Sequence, residues 1–268
     1  MKLYQVDAFT KELFRGNPAA VCIQDREIPL DKMLSIAMEL NLSETAFARP
    51  LENGNFSLRW FTPKAEVDLC GHATLATAHV LFNHIGIPGD TVHLETRSGT
   101  LAARKSPGGI TLDFPVGNPQ PAELPHVILE SLGLEPQDIA ASMFCKERGK
   151  FLVHIRDPEM LEHVEPDFQG MLAHRPDNMI GVIITAKGYG RYDFISRFFA
   201  PWVGINEDPV TGSAHTVLAA YWAGILGKTK MKAFQASVRG GEILIEIDGG
   251  SFFLTGQAVT VFEGDLVL

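Results

Sequence analysis

Glu44 lies in Asn41-Leu-Ser-Glu-Thr-Ala-Phe47, an otherwise apolar, strand-like stretch that follows a helical pattern. A carboxyl group held there away from water would keep its proton to a higher pH than usual, and could then pass it near neutrality. A solvent-facing strand glutamate is the commoner fate of such a residue, because buried glutamates are rare. His72 follows Cys70-Gly71 and precedes Ala73, where a small-residue helical pattern begins. Beside a helix N-terminus its imidazole is expected to be neutral, able to donate or accept one hydrogen bond. A structural histidine fits that position equally well. Asp208 stands before Pro209-Val-Thr-Gly212 at the mouth of a second small-residue helix. It suits orienting an amine or hydroxyl, or simply forming the turn or capping the helix. Ser213 and Thr211 share that ambiguity. Gly71, Ala73 and Gly212 leave little side-chain bulk at the two helix starts, so a carboxylate or developing oxyanion could approach the free N–H groups there. The plainer role of such residues is close packing of helix on sheet.

These residues fall in two stretches that echo each other across the chain. One is Phe61-Thr-Pro-Lys-Ala-Glu-Val-Asp-Leu-Cys-Gly-His-Ala-Thr-Leu-Ala-Thr-Ala78, preceded by Arg59-Trp60. The other is Phe199-Ala-Pro-Trp-Val-Gly-Ile-Asn-Glu-Asp-Pro-Val-Thr-Gly-Ser-Ala-His-Thr-Val-Leu-Ala-Ala220, preceded by Arg197-Phe198. Both run Phe-x-Pro, an acidic residue, then Gly, a polar residue and Ala. A long-range echo of this kind points to a duplicated unit. His215, one residue after Ala214, reads as structural or supporting. Cys70, just ahead of a helix start, could act as an acid or base, although a small packed cysteine is commoner. A racemase working by two opposed thiols needs a second cysteine at the matching place, and the second copy has none.

The elements that must hold these residues are mostly strands. Strand patterns occupy residues 2–9, 18–24, 44–48, 56–61, 91–95, 99–104 and 110–114 of the first half. Helical patterns occupy 30–40 and 73–83. Val116-Gly-Asn-Pro-Gln-Pro121 reads as a linker. Beyond it, 125–133 and 137–141 read as helical or turn-like, 143–147 and 150–155 as a hairpin, and 158–174 as helix broken at Pro166. Strands follow at 181–185 and 192–199, the second central helix at 214–226, and short strands at 232–238, 242–248, 251–255 and 258–263. Hairpins outnumber strand–helix–strand alternations, which favours an α+β fold. The expected architecture is two pseudo-symmetric lobes, 1–116 and 117–268, with the last strand able to return to the first lobe. Each lobe would curl a mostly antiparallel sheet around one central helix.

Composition narrows the function. The chain has 268 residues, a hydrophobic fraction of 46%, a charged fraction of 21% and a net charge of −9. The acidic balance and the lack of basic runs disfavour nucleic acid as a partner. No apolar run is long enough for a membrane span, and the first residues do not read as a signal peptide, so a cytoplasmic protein is expected. Cys22, Cys70 and Cys145 have neither disulfide nor metal-ligand spacing, and no metal is expected. Phosphate-binding glycine loops, Gly-x-Ser-x-Gly and His-Glu-x-x-His are all absent.

Gly16-Asn-Pro18, Asn41-Leu-Ser-Glu-Thr-Ala-Phe47, Phe61-Thr-Pro63, Glu66-Val-Asp-Leu-Cys-Gly-His-Ala73 and Asn206-Glu-Asp-Pro-Val-Thr-Gly-Ser-Ala214 together resemble the phenazine-biosynthesis PhzF-like isomerases. The resemblance covers essentially the whole chain in order. It implies the diaminopimelate epimerase fold and a reaction without any cofactor. The characterised member type isomerises trans-2,3-dihydro-3-hydroxyanthranilate, with a glutamate relaying a proton between ring carbons. By resemblance Glu44 is that acid/base. His72, Asp208 and Ser213 then position polar groups of the substrate, the Gly71 and Gly212 amides lie near its carboxylate, and Asn17 lines the pocket. A homodimer is implied as well. The alternatives are an amino-acid racemase or epimerase using Cys70, and a binding protein that has kept the scaffold without the chemistry. The Glu66–Cys70 run is closest to family members of unassigned substrate, so the phenazine substrate does not follow from the motifs.

Overall fold

A computed structural model describes residues 1–267. The chain divides into two compact units, Met1–Asp113 with Phe253–Leu268, and Phe114–Phe252. In the first unit the strands are β1 (Lys2–Ala8), β2 (Asn17–Ile23), β3 (Glu44–Pro50), β4 (Phe56–Phe61), β5 (Glu66–Val67), β6 (Thr91–Thr96) and β7 (Gly99–Ser106), followed by β8 (Gly109–Pro115). Helix α1 (Leu30–Leu40) joins β2 to β3, and α2 (Gly71–Val80) joins β5 to β6. The pairings run β1–β2 antiparallel, β2–β3 parallel, β3–β4 antiparallel, β4–β6 parallel and β6–β7 antiparallel, with β5 set antiparallel on β4.

In the second unit the strands are β9 (Gln120–Pro121), β10 (Ile139–Cys145), β11 (Lys150–Ile155), β12 (Gly181–Lys187), β13 (Phe194–Ala200), β14 (Ile205–Glu207), β15 (Lys230–Gln235) and β16 (Gly241–Asp248). Its helices are α3 (His126–Ser131), α4 (Pro158–His163), α5 (Phe168–Ala173) and α6 (Gly212–Leu226). The pairing pattern repeats: β10–β11 antiparallel, β11–β12 parallel, β12–β13 antiparallel, β13–β15 parallel, β15–β16 antiparallel, with β14 set on β13. Strands β17 (Ser251–Gly256) and β18 (Ala258–Asp265) close the chain, and β18 pairs antiparallel with β1 in the first unit. The fold is mixed, with a large curled sheet, few helices and one central helix per unit. No helix among the described residues is long and apolar enough to cross a membrane.

The helix α2 is buried on nearly every side, so it has no polar stripe to turn to water. Alanines 73, 76 and 78 let it approach β1, β2 and β3 closely. Its threonines are satisfied within the helix: Thr74 Oγ1 donates to the Cys70 carbonyl at 2.5 Å and Thr77 Oγ1 to the Ala73 carbonyl at 2.7 Å. In the second unit Trp222 of α6 donates to Thr185 Oγ1 of β12 at 3.0 Å and stacks on Phe194 of β13. Tyr221 of the same helix bonds His154 of β11 at 2.8 Å.

The two echoing motifs build the same local device. In each, a hairpin sets the acidic residue opposite the Phe of Phe-x-Pro, Phe61 against Glu66 and Phe199 against Glu207. Arg59 Nε and Nη2 donate to Glu66 at 2.7 and 2.9 Å, and Arg197 Nε and Nη2 donate to Glu207 at the same distances. Each guanidinium also lies over its Phe ring, at 5.4 Å for Arg59 and 4.9 Å for Arg197. One expectation is corrected. The helical or turn-like reading of residues 137–141 holds only as far as Asp138: a single tight turn at Pro136–Asp138 gives way at once to β10. The strand exists because Ile139–Cys145 pairs with β11, a tertiary effect that outweighs the weak local preference of Ala140-Ala141.

Candidate active site

Asn17, Ser43, Glu44, Cys70 and His72 converge in the first unit. The loop into β2 ends at Gly16, whose φ is +64° and whose added Cβ would lie 2.1 Å from the Ala8 carbonyl oxygen. Only glycine fits there, and the turn delivers Asn17 buried at the first position of β2. Helix α1 stops at Asn41, which takes the left-handed conformation, and Ser43-Glu44 enter β3 two residues later. Cys70 is the residue that begins α2, and Gly71, His72 and Ala73 form its first turn.

His72 lies at the centre of this cluster. The Asn17 side-chain amide donates to His72 Nδ1 at 3.2 Å. With the Asn17 amide as donor the ring proton would sit on Nε2, which lies 3.2 Å from Glu44 Oε2 and 3.3 Å from Ser43 Oγ. Cys70 Sγ lies 3.6 Å from Nδ1. His72 and Cys70 are buried, and the Glu44 side chain is only 14% exposed. The solvent-facing alternative for Glu44 is thus overturned. Burial pushes its carboxyl above the usual value, and hydrogen bonds from Ser43 and Cys70 pull it only part of the way back. The arrangement can hold a carboxylic acid poised to give up a proton and take it back, with the His72 imidazole beside it.

The second unit carries the matching helix start. Asp208 and Thr211 are buried, and Thr211 Oγ1 donates to Asp208 Oδ2 at 2.5 Å. Gln235 of β15 braces the turn, its side-chain amide donating to the Asp208 carbonyl at 2.6 Å and its oxygen accepting from Thr211 N–H at 2.8 Å. Gly212 and Ser213 open α6, and Ser213 is half-buried. Neither α2 nor α6 has a side-chain cap on its first turn among the described residues. Its Asp208 does not cap α6; Thr211 holds the cap position. His215 is fully buried, donates from Nδ1 to the Thr211 carbonyl at 2.8 Å, and is pushed down to about 4 by burial. It is neutral and structural.

Ser43 and Gln235 emerge only from the structure. Ser43 adjoins Glu44 and so carried a weak signal, whereas Gln235 had none, because its role depends on β15 lying beside β13. Cys70, read as a packed residue, is also within reach of Glu44 and His72. All three cysteines are free and buried.

The chain's fold agrees with its similarities. The phenazine biosynthesis-like protein family (PhzC-PhzF) matches residues 6–264. An uncharacterized isomerase of Halalkalibacterium halodurans is 44% identical over 270 residues, covering 99% of this chain and 98% of that protein. The crystal structure of a PhzF-family phenazine biosynthesis protein of Enterococcus faecalis superimposes with a TM-score of 0.93 at 40% identity, covering 100% of this chain and 99% of the other. A hydroxyproline epimerase of Agrobacterium vitis shares the fold at a TM-score of 0.59 and 15% identity, over 98% of this chain and 91% of its own. The chain belongs to the phenazine biosynthesis-like family. Within it, the chain is an isomerase.

Proposed function

We propose that the protein isomerises a small carboxylate-bearing substrate by moving a proton through Glu44, without a cofactor. The buried Glu44 carboxyl, raised by burial and 3.2 Å from His72 Nε2, carries this reading. As base, Glu44 takes a proton from a substrate carbon; as acid, it returns the proton to another. His72 holds the carboxyl in place and, being protonated on Nε2, stabilises it when ionised. Gly71 and Ala73 keep the first turn of α2 open to a substrate oxygen, and Asn17 holds the His72 ring. In the second unit, Asp208, Gly212 and Ser213 offer a carboxylate, an open helix start and a hydroxyl of the kinds that hold an amine, a hydroxyl or a carboxylate. The substrate class resembles trans-2,3-dihydro-3-hydroxyanthranilate.

Proton NMR of that compound in D₂O tests the reading with wild type and Glu44→Gln. Wild type is expected to convert it with deuterium uptake, and the variant to be slower by about 10²–10⁴-fold. Equal rates in the two proteins would remove Glu44 from the mechanism. Silence from both would keep the site and discard the substrate. A two-base epimerase draws less support, because Thr211 occupies the place of Cys70 in the second motif.

A further inference from the structure

Spacing in the sequence gives no hint of a metal, yet three ligand types meet at the start of α2. One ligand atom each from Glu44, Cys70 and His72 can be chosen so that all lie within 4.8 Å of one another. Cys70 Sγ is 3.6 Å from His72 Nδ1, and Glu44 Oε2 is 3.2 Å from His72 Nε2. Tetrahedral zinc with ordinary Zn–S and Zn–N bonds places its sulfur and nitrogen ligands about 3.6 Å apart. The Cys70–His72 Nδ1 pair already has that spacing, and a set of one atom per residue within 4.8 Å closes onto one ion with a small side-chain shift of Glu44 or His72.

We propose that Glu44, Cys70 and one ring nitrogen of His72 bind a single Zn²⁺ ion per chain, and that the bound ion switches the isomerase off. The binding stands on the cluster alone; the switching rests on the role proposed for Glu44. A thiol, an imidazole and a carboxylate suit zinc and disfavour the hard cations magnesium and calcium. A thiolate and a carboxylate together neutralise Zn²⁺, which removes the charge imbalance of ionising either group alone in a buried place. On binding, the Cys70 S–H bond breaks and its electron pair forms the Zn–S bond, the Glu44 O–H bond breaks where the carboxyl still holds its proton and its oxygen forms the Zn–O bond, and the protons go to solvent. The ring nitrogen that takes the metal gives up its present partner, either the Asn17 amide or the Glu44–Ser43 pair. Three protein ligands leave a fourth position for water. While bound, Glu44 is tied to the ion and its basicity is lowered by the metal charge, so it no longer takes and returns a substrate proton.

The test uses the full chain stripped by a chelator, titrated with Zn²⁺ against a chromophoric competitor and with Co²⁺ by absorption. One equivalent bound at micromolar affinity or tighter is expected, with proton release and a near-ultraviolet sulfur-to-cobalt band. Loss of partners that merely touch a ligand costs about 10–100-fold in affinity, so Cys70→Ser and Glu44→Gln should each lose at least that much. Cys70→Ser should also abolish the cobalt band, and circular dichroism would verify that both variants are folded. Absence of binding at micromolar metal overturns the proposal, as does undiminished binding in folded Cys70→Ser. Neither result involves a substrate, so neither bears on the isomerase reading. In the deuterium-uptake assay, full activity of the zinc-loaded protein would overturn the switch.

Discussion

The two arginine–glutamate pairs offer one motif whose arginine is buried to two degrees and whose carboxylate has one cation in one copy and two in the other. Arg197 is 10% exposed and Glu207 18%, and Arg197 Nη1 also donates to the Val164 and Leu161 carbonyls at 2.7 and 3.2 Å. Arg197→Met would leave a largely buried carboxylate without its cation and three carbonyls, those of Leu161, Glu162 and Val164, without this donor. Breaking a buried pair in this way costs about 3–5 kcal/mol. Arg59 is 29% exposed, and its partner Glu66 also holds Arg97 at 2.8 Å. Arg59→Met therefore leaves Glu66 still paired, and about 1 kcal/mol is expected. Urea unfolding of the two variants, fitted with a common m-value, measures the difference. Arg197→Met/Glu207→Met should recover part of the loss, because no orphan charge remains. Equal costs for the two single variants would refute the claim that arginine burial and the presence of a second cation decide the worth of this motif. The pair also anchors β14, whose last residue, Glu207, immediately precedes Asp208. A drop in activity of Arg197→Met larger than that of Arg59→Met is the expected accompaniment.

Three further outcomes follow from burial. Because the Glu44 carboxyl is raised above its ordinary 4.5, the folded state holds that proton longer than the unfolded chain. The stability tied to Glu44 is thus greatest below pH 4.5, falls as pH rises, and levels off once the folded carboxyl also ionises. Glu44→Gln lacks this loss, so its stability relative to wild type should climb above pH 4.5 in denaturant titrations across pH. Lys150 is buried and lowered from 10.5 to about 8 by desolvation, so its stability contribution is complete above pH 10.5 and is lost as pH falls to about 8. Replacing it with methionine should raise stability at pH 7 by about 3 kcal/mol, read as a shift in the urea midpoint. A Cβ at Gly181 would meet the Phe198 ring at 2.5 Å and the Phe199 carbonyl oxygen at 2.7 Å, so Gly181→Ala should cost about 1–3 kcal/mol in the same measurement.

Much of the fold is readable in advance because its signals are local. Alternation marks β4, and Gly71 and Gly212 open helices whose first turns are small and whose patterns are largely apolar. The echo of Phe61-Thr-Pro63 in Phe199-Ala-Pro201 has a physical counterpart in the repeated hairpin and its arginine clamp. Short β5 and β14 escape notice, since two or three residues carry no period. The strand at Ile139–Cys145 escapes because only its partners make it a strand. In the site, residue type and position single out Glu44 and His72 separately. Nothing in their separation says that they touch, or that Cys70 lies beside both. Burial of Glu44 is equally hidden, since the atoms covering it come from the loop after α1, the start of β2 and the start of α2.

The duplication also explains why one base is the better reading than two. Thr45 pairs with Phe61, and Val182 with Phe199, so Glu44 and Gly181 occupy the same place in the two copies, each just ahead of that pair. Cys70 likewise matches Thr211, and His72 matches Ser213, each counted from the glycine that opens its helix. One copy therefore carries a carboxylic acid, a thiol and an imidazole, and the other carries glycine and two hydroxyls. Neither a threonine nor a serine hydroxyl holds or releases a proton near neutral pH as a carboxyl does. The Phe198 ring and Phe199 carbonyl fill the space that a side chain at position 181 would need. Inversion at a carbon needs one group to remove a proton from one face and another to deliver a proton to the opposite face. A single acid/base returns the proton to the face from which it came, at the same atom or at one within reach. That is the stereochemistry of a proton shift, and it favours relocation of a double bond over racemisation.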